Sequence, residues 1–426
     1  MPTNNSALRE PSLRKNVVSL YALQIASYAA PLATLPWLTR VLGPAGFGRL
    51  AFCAAVTGYL VVFTDFGFNY SATRQIAQCW NDRLGRSTVF WNTLTAKALL
   101  ASLGLPLLLV LTLIIPRFAQ ERTLLLVNYL TVLATVLSPT WYFQGTERQV
   151  ALSSITIAVR LVAIPLLFWL VRTPQQVLMA AWISSGTQLL GGLACMAYLV
   201  QSNELDRAQI RFRGIARTFA EGWHLFISMA SISLYTTTNT VILGFVCGSA
   251  AVGHYSAAEK MIQAAQGLLI PVNQSAYPRV SRLMQESREA AFALVRKVLR
   301  IQGLIALSLS LVLFAIAPLI IRILYGAAFE ETINVLRWLA WVPFIVGLSN
   351  VFGVHVMTAM GMNKTVSRIL ISAGAVNLVI LFACVRSFGA TGAAASVVAS
   401  ELMVTVAMLV IILKHNLPIF RAIPAM

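Results

Sequence analysis

Five polar side chains recur along one otherwise apolar stretch of the chain, residues 252–278. They are Glu259, Gln263, Gln266, Asn273 and Gln274. At about 100° per residue, their spacing places all five within one helical stripe roughly 100° wide. Because most of the other residues in this stretch are apolar or small, we expect the stripe to line a water-filled or protein-lined seam inside a membrane.

A second apolar stretch runs directly into the polar segment DFGFNYSATR, residues 65–74. Asp65 and Asn69 are four residues apart and share a helix face, and Gly67 between them can loosen the helix. Arg74 falls on the opposite side of an ideal helix. Either it reaches lipid phosphate at the membrane surface, or a bend brings it to the mouth of a cavity.

Other apolar stretches carry isolated polar residues. Tyr235 and Asn239 share one face of a stretch, and Gln24 and Tyr28 are four residues apart in another. The ionisable residues within or near the ends of such stretches include Arg40, Lys97, Arg160, Lys260, Arg279 and Glu401. Each ionisable group costs about 2.5–3.5 kcal/mol inside a bilayer, so we expect these side chains to face protein or water. They can serve a transported ligand, or they can join neighbouring helices through ion pairs and hydrogen bonds.

The elements that must position these residues are membrane helices. Of 426 residues, 58% are hydrophobic and 11% are charged, whereas soluble domains carry about 25% charged residues. Apolar stretches of 18 or more residues recur along the whole length, which predicts an all-α integral membrane protein. We predict twelve transmembrane helices, near residues 16–39, 48–76, 88–115, 123–143, 150–171, 176–200, 219–246, 252–278, 298–324, 333–358, 365–386 and 390–413.

The distribution of basic residues predicts the orientation. The chain has 32 Lys and Arg against 14 Asp and Glu. Of the basic residues, 21 fall on one side of the predicted membrane, 8 on the other and three inside spans. The positive-inside rule therefore places the first side, with both termini, in the cytoplasm. The chain contains no basic run and no nucleic-acid motif, so we expect no nucleic-acid partner.

An internal repeat predicts two lobes. GPAGFG, residues 43–48, aligns with GSAAVG, residues 248–253, at an offset of 205, and a second match aligns FQGTERQ (143–149) with AMGMNKT (359–365). Two six-helix bundles in the same orientation are typical of parallel-repeat transporters, which bind substrate between the repeats. The predicted lobes are residues 1–200 and 219–426, joined by a basic cytoplasmic linker, 201–218. Polar faces on spans 1, 2, 7 and 8 would form the walls of a central cavity.

No motif for catalysis or for a cofactor accompanies these features. The five cysteines are scattered without a CxxC or Cys/His spacing, and the four histidines show no ligand spacing, so we expect no metal site. The sequence also lacks a Walker motif, so we expect no direct use of ATP. We therefore expect a protein that is not an enzyme and has no cofactor.

Six segments carry a resemblance to a known family: PLATLPWLTRVLGPAGFGRLAF, DFGFNYSATRQIA, WYFQGTERQ, EGWHLFISMASISLYTTTNTVILG, GHYSAAEKMIQAAQGLLIPVNQSAYPR and GATGAAASVV. In this order they resemble the Wzx-type O-antigen flippases. These belong to the polysaccharide transport branch of the multidrug/oligosaccharidyl-lipid/polysaccharide exporter superfamily. The similarity extends over nearly the whole chain, from residue 16 to residue 410.

The resemblance implies a MATE-like fold: twelve transmembrane helices in two pseudo-symmetric six-helix lobes around a central cavity, in the bacterial inner membrane. The implied cargo is an undecaprenyl-diphosphate-linked oligosaccharide, which alternating access moves from the cytoplasmic to the periplasmic leaflet while membrane lipid surrounds its tail. A polymerase and a chain-length regulator of the same pathway are the implied protein partners.

The polar helix faces and the resemblance together suggest roles for the candidate residues; those that match the family's recurring stretches are Arg40, Asp65, Asn69, Arg74, Glu259, Lys260 and Arg279. The cationic cavity that would bind the diphosphate is assigned to Arg40, Arg74, Arg160, Lys260 and Arg279. The polar lining is assigned to Gln24, Tyr28, Asn69, Tyr235, Asn239, Gln263, Gln266, Asn273 and Gln274. Coupling to H⁺ or Na⁺ is assigned to Asp65, Glu259 and Glu401.

Three alternatives remain open. The cargo could be another lipid-linked glycan: an exopolysaccharide unit, or a teichuronic or peptidoglycan precursor. A cation-coupled multidrug antiporter would favour acidic groups in the N-terminal lobe, where Asp65 is the only acid within the first six predicted spans. A membrane polymerase or ligase would require a large outer loop, and all the predicted outer loops are short.

Overall fold

The structure is a computed structural model that describes residues 13–206 and 212–419. Within these ranges it defines no side-chain surroundings for residues 13–32, 234–235 and 274–275. The described residues form helices and short turns and contain no β-strand. The predicted all-α class is therefore confirmed. We refer to the two described ranges as the N-terminal half and the C-terminal half.

The helices of the N-terminal half follow one another with short connections. They are α1 (Leu13–Asp65), α2 (Phe68–Gln78), α3 (Arg83–Ile114), α4 (Pro116–Gln120), α5 (Arg122–Asn128), α6 (Leu130–Leu137), α7 (Thr140–Gly145), α8 (Gln149–Leu170) and α9 (Val177–Gln201).

The helices of the C-terminal half are α10 (Phe212–Val246), α11 (Gly248–Gly267), α12 (Ile270–Glu286), α13 (Arg288–Leu324), α14 (Thr332–Leu339), α15 (Val342–Asn350) and α16 (Asn363–Lys414). A 3₁₀ turn, Ala327–Phe329, precedes α14, and a π-helix, Val351–Thr358, follows α15.

Among the described residues, eight helices are long and apolar enough to cross a membrane, or nine if the bent α10 counts as one span. Two of them are longer than a bilayer requires, α1 with 53 residues and α16 with 52. Each changes direction at a glycine with non-helical dihedral angles, Gly43 in α1 and Gly389 in α16. The polar helices α11 and α12 are not among the eight, because glutamine, asparagine and charged residues replace apolar ones there. The total of twelve spans stays a prediction.

Backbone features repeat at the offset found in the sequence. Gly43 has φ 67° and Gly248 has φ 85°, and these two residues are 205 positions apart. The next long helix in each half, α3 or α13, begins after a side-chain cap: Asp82 accepts from the Gly85 amide, and Ser287 accepts from the Ala290 amide. Asp82 and Ser287 are again 205 positions apart, so the two halves follow the same path from span to span.

The second sequence match is wrong by two residues. It pairs Gly145 with Gly361, an offset of 216, whereas α8 begins at Gln149 and α16 at Asn363, an offset of 214. The offset has grown from 205 because the C-terminal half inserts residues between these landmarks, beginning with α13, which has 37 residues against 32 in α3. An ungapped alignment of short motifs cannot locate such insertions.

A large apolar core joins the two halves. One contiguous cluster of buried side chains includes Phe47 and Phe52 from α1 together with Val252 and Tyr255 from α11. Leucine and isoleucine side chains on the outer faces of α3 and α13 are exposed, as expected for helices that pack against lipid.

Candidate functional site

The N-terminal half contains a partly open cavity of about 630 Å³ lined by residues of α1, α2, α3, α6, α7, α8 and α9. Its ionisable lining residues are Asp65, Lys97 and Arg160, which give a formal charge of +1. Hydroxyl and amide side chains complete the polar lining: Thr34, Asn69, Thr135, Ser138, Thr140, Thr156, Ser184, Thr187 and Gln188. The volume lies within the range of about 300–1,000 Å³ that is typical of ligand sites. This lining can hold an anionic group and hydrogen-bond to hydroxyl groups.

An ion pair lies in the wall of this cavity. The Lys97 ammonium is 2.5 Å from Asp65 Oδ1, with the lysine side chain 1% exposed and the aspartate side chain 26% exposed. Lys97 also donates to the Thr135 carbonyl at 3.2 Å and lies 4.5 Å from the centre of the Trp141 ring. The pair joins α1 to α3. It corresponds to the alternative in which Asp65 connects neighbouring helices through an ion pair. Removing one member of such a pair leaves the other buried without its counter-charge.

The helix breaks where this ion pair is formed. Asp65 is the last residue of α1, Phe66 has φ 42°, and Gly67, with φ 74°, precedes α2. Glycine is the residue that adopts a positive φ without steric cost, so Gly67 permits the break. Asn69 donates through Nδ2 to Asp65 Oδ2 at 3.2 Å and accepts through Oδ1 from the Thr140 hydroxyl at 3.1 Å. The shared face of Asp65 and Asn69 therefore continues across the break.

The other side of the break packs against α10, in the C-terminal half. A Cβ atom at Gly67 would lie 2.6 Å from Leu225 Cβ, and one at Gly222 would lie 2.6 Å from the Phe66 carbonyl oxygen. The rings of Phe66 and Phe226 are stacked, with centroids 4.5 Å apart and planes 7° apart. The break thus lies between the larger cavity and the opposite half, and it is in contact with both.

The C-terminal half encloses a smaller cavity of about 160 Å³. Its acidic lining residues are Glu259 and Glu401, and no lysine or arginine is among its lining residues. Asn377 donates to Asn239 Oδ1 at 3.0 Å and accepts from the Ser400 hydroxyl at 3.1 Å. Gln263 and Gln266 also line this cavity. The volume accommodates an ion with a few waters, and carboxylate and amide oxygens are the ligands that hard cations prefer.

The halves touch backbone to backbone at one end of the molecule. A Cβ atom at Gly48 would lie 1.7 Å from the Ser249 carbonyl oxygen, and one at Gly253 would lie 2.0 Å from the Pro44 carbonyl oxygen. Gly48 and Gly253 are 205 positions apart, as are Pro44 and Ser249, so the contact is reciprocal in the manner of a two-fold interface. We call it the glycine contact. It closes the space between α1 and α11 at this end.

Two arginines reinforce the glycine contact. Arg117 donates to the Ser249 hydroxyl at 2.5 Å. Arg40 donates through Nε to the Leu324 carbonyl at 3.1 Å and through Nη2 to the Ile323 carbonyl, at the C-terminal end of α13. Carbonyls at a helix C-terminus attract cations because they have no partner within the helix. Arg40 therefore holds the two halves together here, away from both cavities.

The other residues predicted to form a cationic cavity divide between the lining and the surface. Arg160 lines the larger cavity. Arg74 is exposed and lies 3.7 Å from Glu221 in α10. Lys260 is exposed and donates to Gln263 at 3.1 Å, and Arg279 is also exposed. Neither cavity described above has Arg74, Lys260 or Arg279 in its lining.

The polar lining residues predicted from the sequence fall into three groups. Asn69 lines the larger cavity, and Asn239, Gln263 and Gln266 line the smaller one. Asn273 lies on neither lining, and its Oδ1 is 3.1 Å from His355 Nε2 in the π-helix. The side chains of Gln24, Tyr28, Tyr235 and Gln274 lie outside the described residues. Spans 1 and 2 thus line the larger cavity and spans 7 and 8 the smaller one, and a central cavity shared by all four spans stays a prediction.

Several lining residues were not among the sequence candidates. The sequence leaves open whether Lys97 serves a ligand or a neighbouring helix and does not assign it to the cationic cavity, and Thr140, Asn377 and Ser400 are not among its candidates. A usable signal exists for Asn377, which is a lone amide in the apolar run AGAVNLVILF. A signal also exists for Lys97, because Asp65 is an acid of opposite charge in the adjacent predicted span.

Comparison with known proteins supplies the family. The model of a family described as "Polysaccharide biosynthesis protein" matches residues 13–284. An Escherichia coli K12 protein named "Putative O-antigen transporter" is 34% identical over 95% of this chain and 98% of its own length. A Shigella dysenteriae protein of the same name is 28% identical over 93% of this chain and 99% of its own.

Solved structures with low sequence identity share the fold. An inward-facing MATE family transporter of the MOP superfamily has a TM-score of 0.71 at 14% identity, covering 94% of this chain and 96% of its own. The lipid II flippase MurJ in an inward closed conformation also has a TM-score of 0.71, at 12% identity, covering 94% of this chain and 89% of its own. These matches confirm the MATE-like fold, and the sequence matches confirm the resemblance to O-antigen flippases. The chain belongs to the polysaccharide biosynthesis protein family.

Proposed function

We propose that this protein is a flippase that moves an undecaprenyl-diphosphate-linked O-antigen repeat unit from the cytoplasmic to the periplasmic leaflet of the bacterial inner membrane. The observation that carries this proposal is the difference in the charged side chains that line the two cavities: two basic and one acidic in the N-terminal half, against two acidic and no basic ones in the C-terminal half. An anionic headgroup is attracted to the cations of the first cavity and finds no cation in the lining of the second. The N-terminal cavity is therefore the cargo site.

The chemistry of this cavity suits a diphosphate joined to sugars. Arg160 offers the planar guanidinium that forms charge-assisted, two-pronged hydrogen bonds with phosphate oxygens. The surrounding hydroxyl and amide groups, among them Thr156, Ser184 and Gln188, can exchange hydrogen bonds with sugar hydroxyls. A C55 polyprenyl tail is apolar and can remain in lipid, so only the headgroup needs to enter the protein.

Movement across the membrane requires the two halves to rearrange. Lobes of residues 1–200 and 219–426 rock against each other about a cytoplasmic linker, 201–218, and both termini are cytoplasmic. The glycine contact closes one end of the molecule, and cargo leaves after that contact opens. No bond of the cargo is made or broken, so the protein acts as a transporter and not as an enzyme. The polymerase and the chain-length regulator act on the delivered unit afterwards.

The acidic cavity of the C-terminal half serves ion coupling in this proposal. Glu259 and Glu401 lie in one small cavity with amide and hydroxyl groups, a donor set that can take a proton or coordinate Na⁺. Asp65, the third acid assigned to coupling, instead pairs with Lys97. We therefore assign coupling to the two glutamates first.

The test is genetic. The gene is deleted in its host under conditions that tolerate the loss, and lipid-linked glycans are extracted and assigned to a leaflet by their accessibility to a membrane-impermeant glycosidase. We expect an undecaprenyl-diphosphate-linked repeat unit to accumulate in the cytoplasmic leaflet. Wild-type protein should clear it, and Arg160→Gln should clear it at least about tenfold more slowly, because a hydrogen bond to a charged group contributes about 1.5–3 kcal/mol.

Arg322→Gln is the matched control. Arg322 forms a 2.7 Å ion pair with Glu330 in which both side chains are about two-thirds exposed, at 64% and 65%. An exposed pair of this kind contributes little, so this variant should behave as wild type. Equal distribution of the lipid between leaflets in the deletion strain would contradict the proposal.

The same extraction separates the alternatives. Accumulation of a different lipid-linked glycan, such as an exopolysaccharide unit or a teichuronic or peptidoglycan precursor, would keep the mechanism and change the cargo. A cation-coupled multidrug antiporter would leave all lipid-linked glycans undisturbed. The acidic cavity that could attract a cationic drug has a volume of only about 160 Å³, below the usual range of drug-sized sites.

A further inference from the structure

The side chain of Lys97 is almost fully buried and yet lines the larger cavity. Its ammonium is in contact with the Asp65 carboxylate, the Thr135 carbonyl and the face of Trp141. An ammonium in such surroundings needs an anionic partner, since a buried charge without one is strongly destabilising. In the described structure Asp65 is that partner.

Asp65 is held in a way that allows it to leave Lys97. Its side chain is 26% exposed, against 1% for Lys97. Its second carboxylate oxygen already accepts from Asn69 at 3.2 Å. The carboxylate also ends α1, directly before the break at Phe66 and Gly67, so it lies at a point where the backbone can change direction. If the carboxylate separates from Lys97, it retains one hydrogen-bond donor and gains access to water in the cavity.

We infer that Lys97 is an anion ligand of the larger cavity and that Asp65 is its resident counter-ion, which a phosphate group of the cargo replaces on binding. This inference rests on the proposed function and names a second cation of the cargo site beside Arg160. A lysine is well suited to such an exchange because its ammonium is a point charge that binds carboxylate or phosphate without a fixed angular requirement. The exchange keeps Lys97 paired before and after cargo enters.

The exchange has a consequence that separates it from a purely structural ion pair. If Asp65 competes with phosphate, removing its charge should leave anion binding unchanged or make it stronger. Removing the charge of Lys97 should make anion binding weaker. If the pair only connected α1 to α3, loss of either charge would weaken anion binding to the same extent. Replacing both residues by a neutral hydrogen-bonded pair would then restore anion binding.

The experiment measures equilibrium binding of radiolabelled undecaprenyl diphosphate to the purified full-length protein in lipid nanodiscs, with undecaprenol as the probe without phosphate. We expect Lys97→Gln to weaken binding at least about tenfold, as the loss of one hydrogen bond to a charged group predicts. Asp65→Asn should bind as tightly as wild type or up to about tenfold more tightly, because the competing charge is absent. The double variant Asp65→Asn/Lys97→Gln should bind as weakly as Lys97→Gln, and Arg322→Gln should bind as wild type.

Each other outcome overturns the inference. Wild-type binding by the double variant, or equal weakening by both single variants, would show a structural pair. If a single variant fails to fold, the double variant can still be measured, because its neutral amide pair leaves no buried charge without a partner. Unaltered binding by Lys97→Gln would remove Lys97 from the site and leave the proposed function standing. Wild-type protein that prefers undecaprenyl diphosphate no more than undecaprenol would overturn the proposed function and the inference together.

Discussion

The glycine contact predicts that a single methyl group can open one end of the molecule. In Gly48→Ala, the new Cβ would lie 1.7 Å from the Ser249 carbonyl oxygen and 2.7 Å from the Gly253 amide nitrogen. Ordinary contacts of a Cβ atom begin at 3.4 Å, so the backbones of α1 and α11 must separate by up to 1.7 Å at this point. Both obstructing atoms belong to the backbone, and no side chain can rotate away to make room.

The size of the effect follows from the cost of overpacking. Forcing extra atoms into a well-packed contact costs about 1–3 kcal/mol. That cost falls on the closed arrangement and is absent once the two helices have separated. The ratio of open to closed molecules should therefore rise about 5- to 160-fold.

The assay uses a cysteine at a position that is buried in the described arrangement and that opening of the glycine contact should expose. Val252, beside Gly253 in α11, is fully buried. Val252→Cys is introduced into a chain whose five native cysteines are replaced by alanine, and the rate of reaction with a water-soluble maleimide is measured in detergent. Gly48→Ala should raise that rate by the factor given above.

The matched control for this prediction is Gly58→Ala, on the same helix. No atom lies within 4 Å of the Cβ position at Gly58. Gly58→Ala therefore makes the same chemical change without a clash, and the cysteine introduced at Val252 should react at its original rate. Equal labelling rates in the Gly48 and Gly58 variants would refute the account of the glycine contact.

Three further variants test other contacts. Arg49→Gln should lower the melting temperature in detergent, since the Glu121 carboxylate is 6% exposed and 2.8 Å from Arg49, and loss of a partner to a buried polar group costs about 1–3 kcal/mol; an unchanged melting temperature would contradict the pairing. Arg40→Gln should remove about 0.3–1 kcal/mol of stabilisation at the end of α13, and cells should retain most surface polysaccharide, whereas complete loss would return Arg40 to the cargo site. Glu401→Gln should make transport in proteoliposomes independent of an imposed H⁺ or Na⁺ gradient, and an undiminished response to both gradients would exclude it from coupling.

The sequence predicted local features of the site correctly where helical periodicity determines them. The i, i+4 spacing of Asp65 and Asn69 predicted a shared face, and their side chains are hydrogen-bonded. The stripe predicted from Glu259 to Gln274 holds only in its first part: Glu259, Gln263 and Gln266 line one cavity wall. Asn273 lies beyond the break between α11 and α12 and on neither lining. Periodicity relates residues on one helix, and it carries that information whatever the helix packs against.

Periodicity does not specify the neighbour that a polar face meets. The faces of spans 1 and 2 and those of spans 7 and 8 line two cavities in different halves, a distinction that depends on how helices pack in three dimensions. The Asp65–Lys97 pair joins residues on different helices, so no spacing rule could identify it. Arg40 was assigned to the cavity because it is basic and near a span end, but its partners are backbone carbonyls at Ile323 and Leu324, whose position depends on where α13 ends.

The central claim is that the anionic headgroup of a lipid-linked glycan occupies the cavity of the N-terminal half. It is tested most directly by a cryo-electron microscopy map of the protein in nanodiscs loaded with its lipid-linked oligosaccharide diphosphate. The account predicts phosphate density within hydrogen-bonding distance of Arg160 and Lys97. Phosphate density beside the exposed residues Lys260 and Arg279, with the N-terminal cavity holding only water, would contradict it.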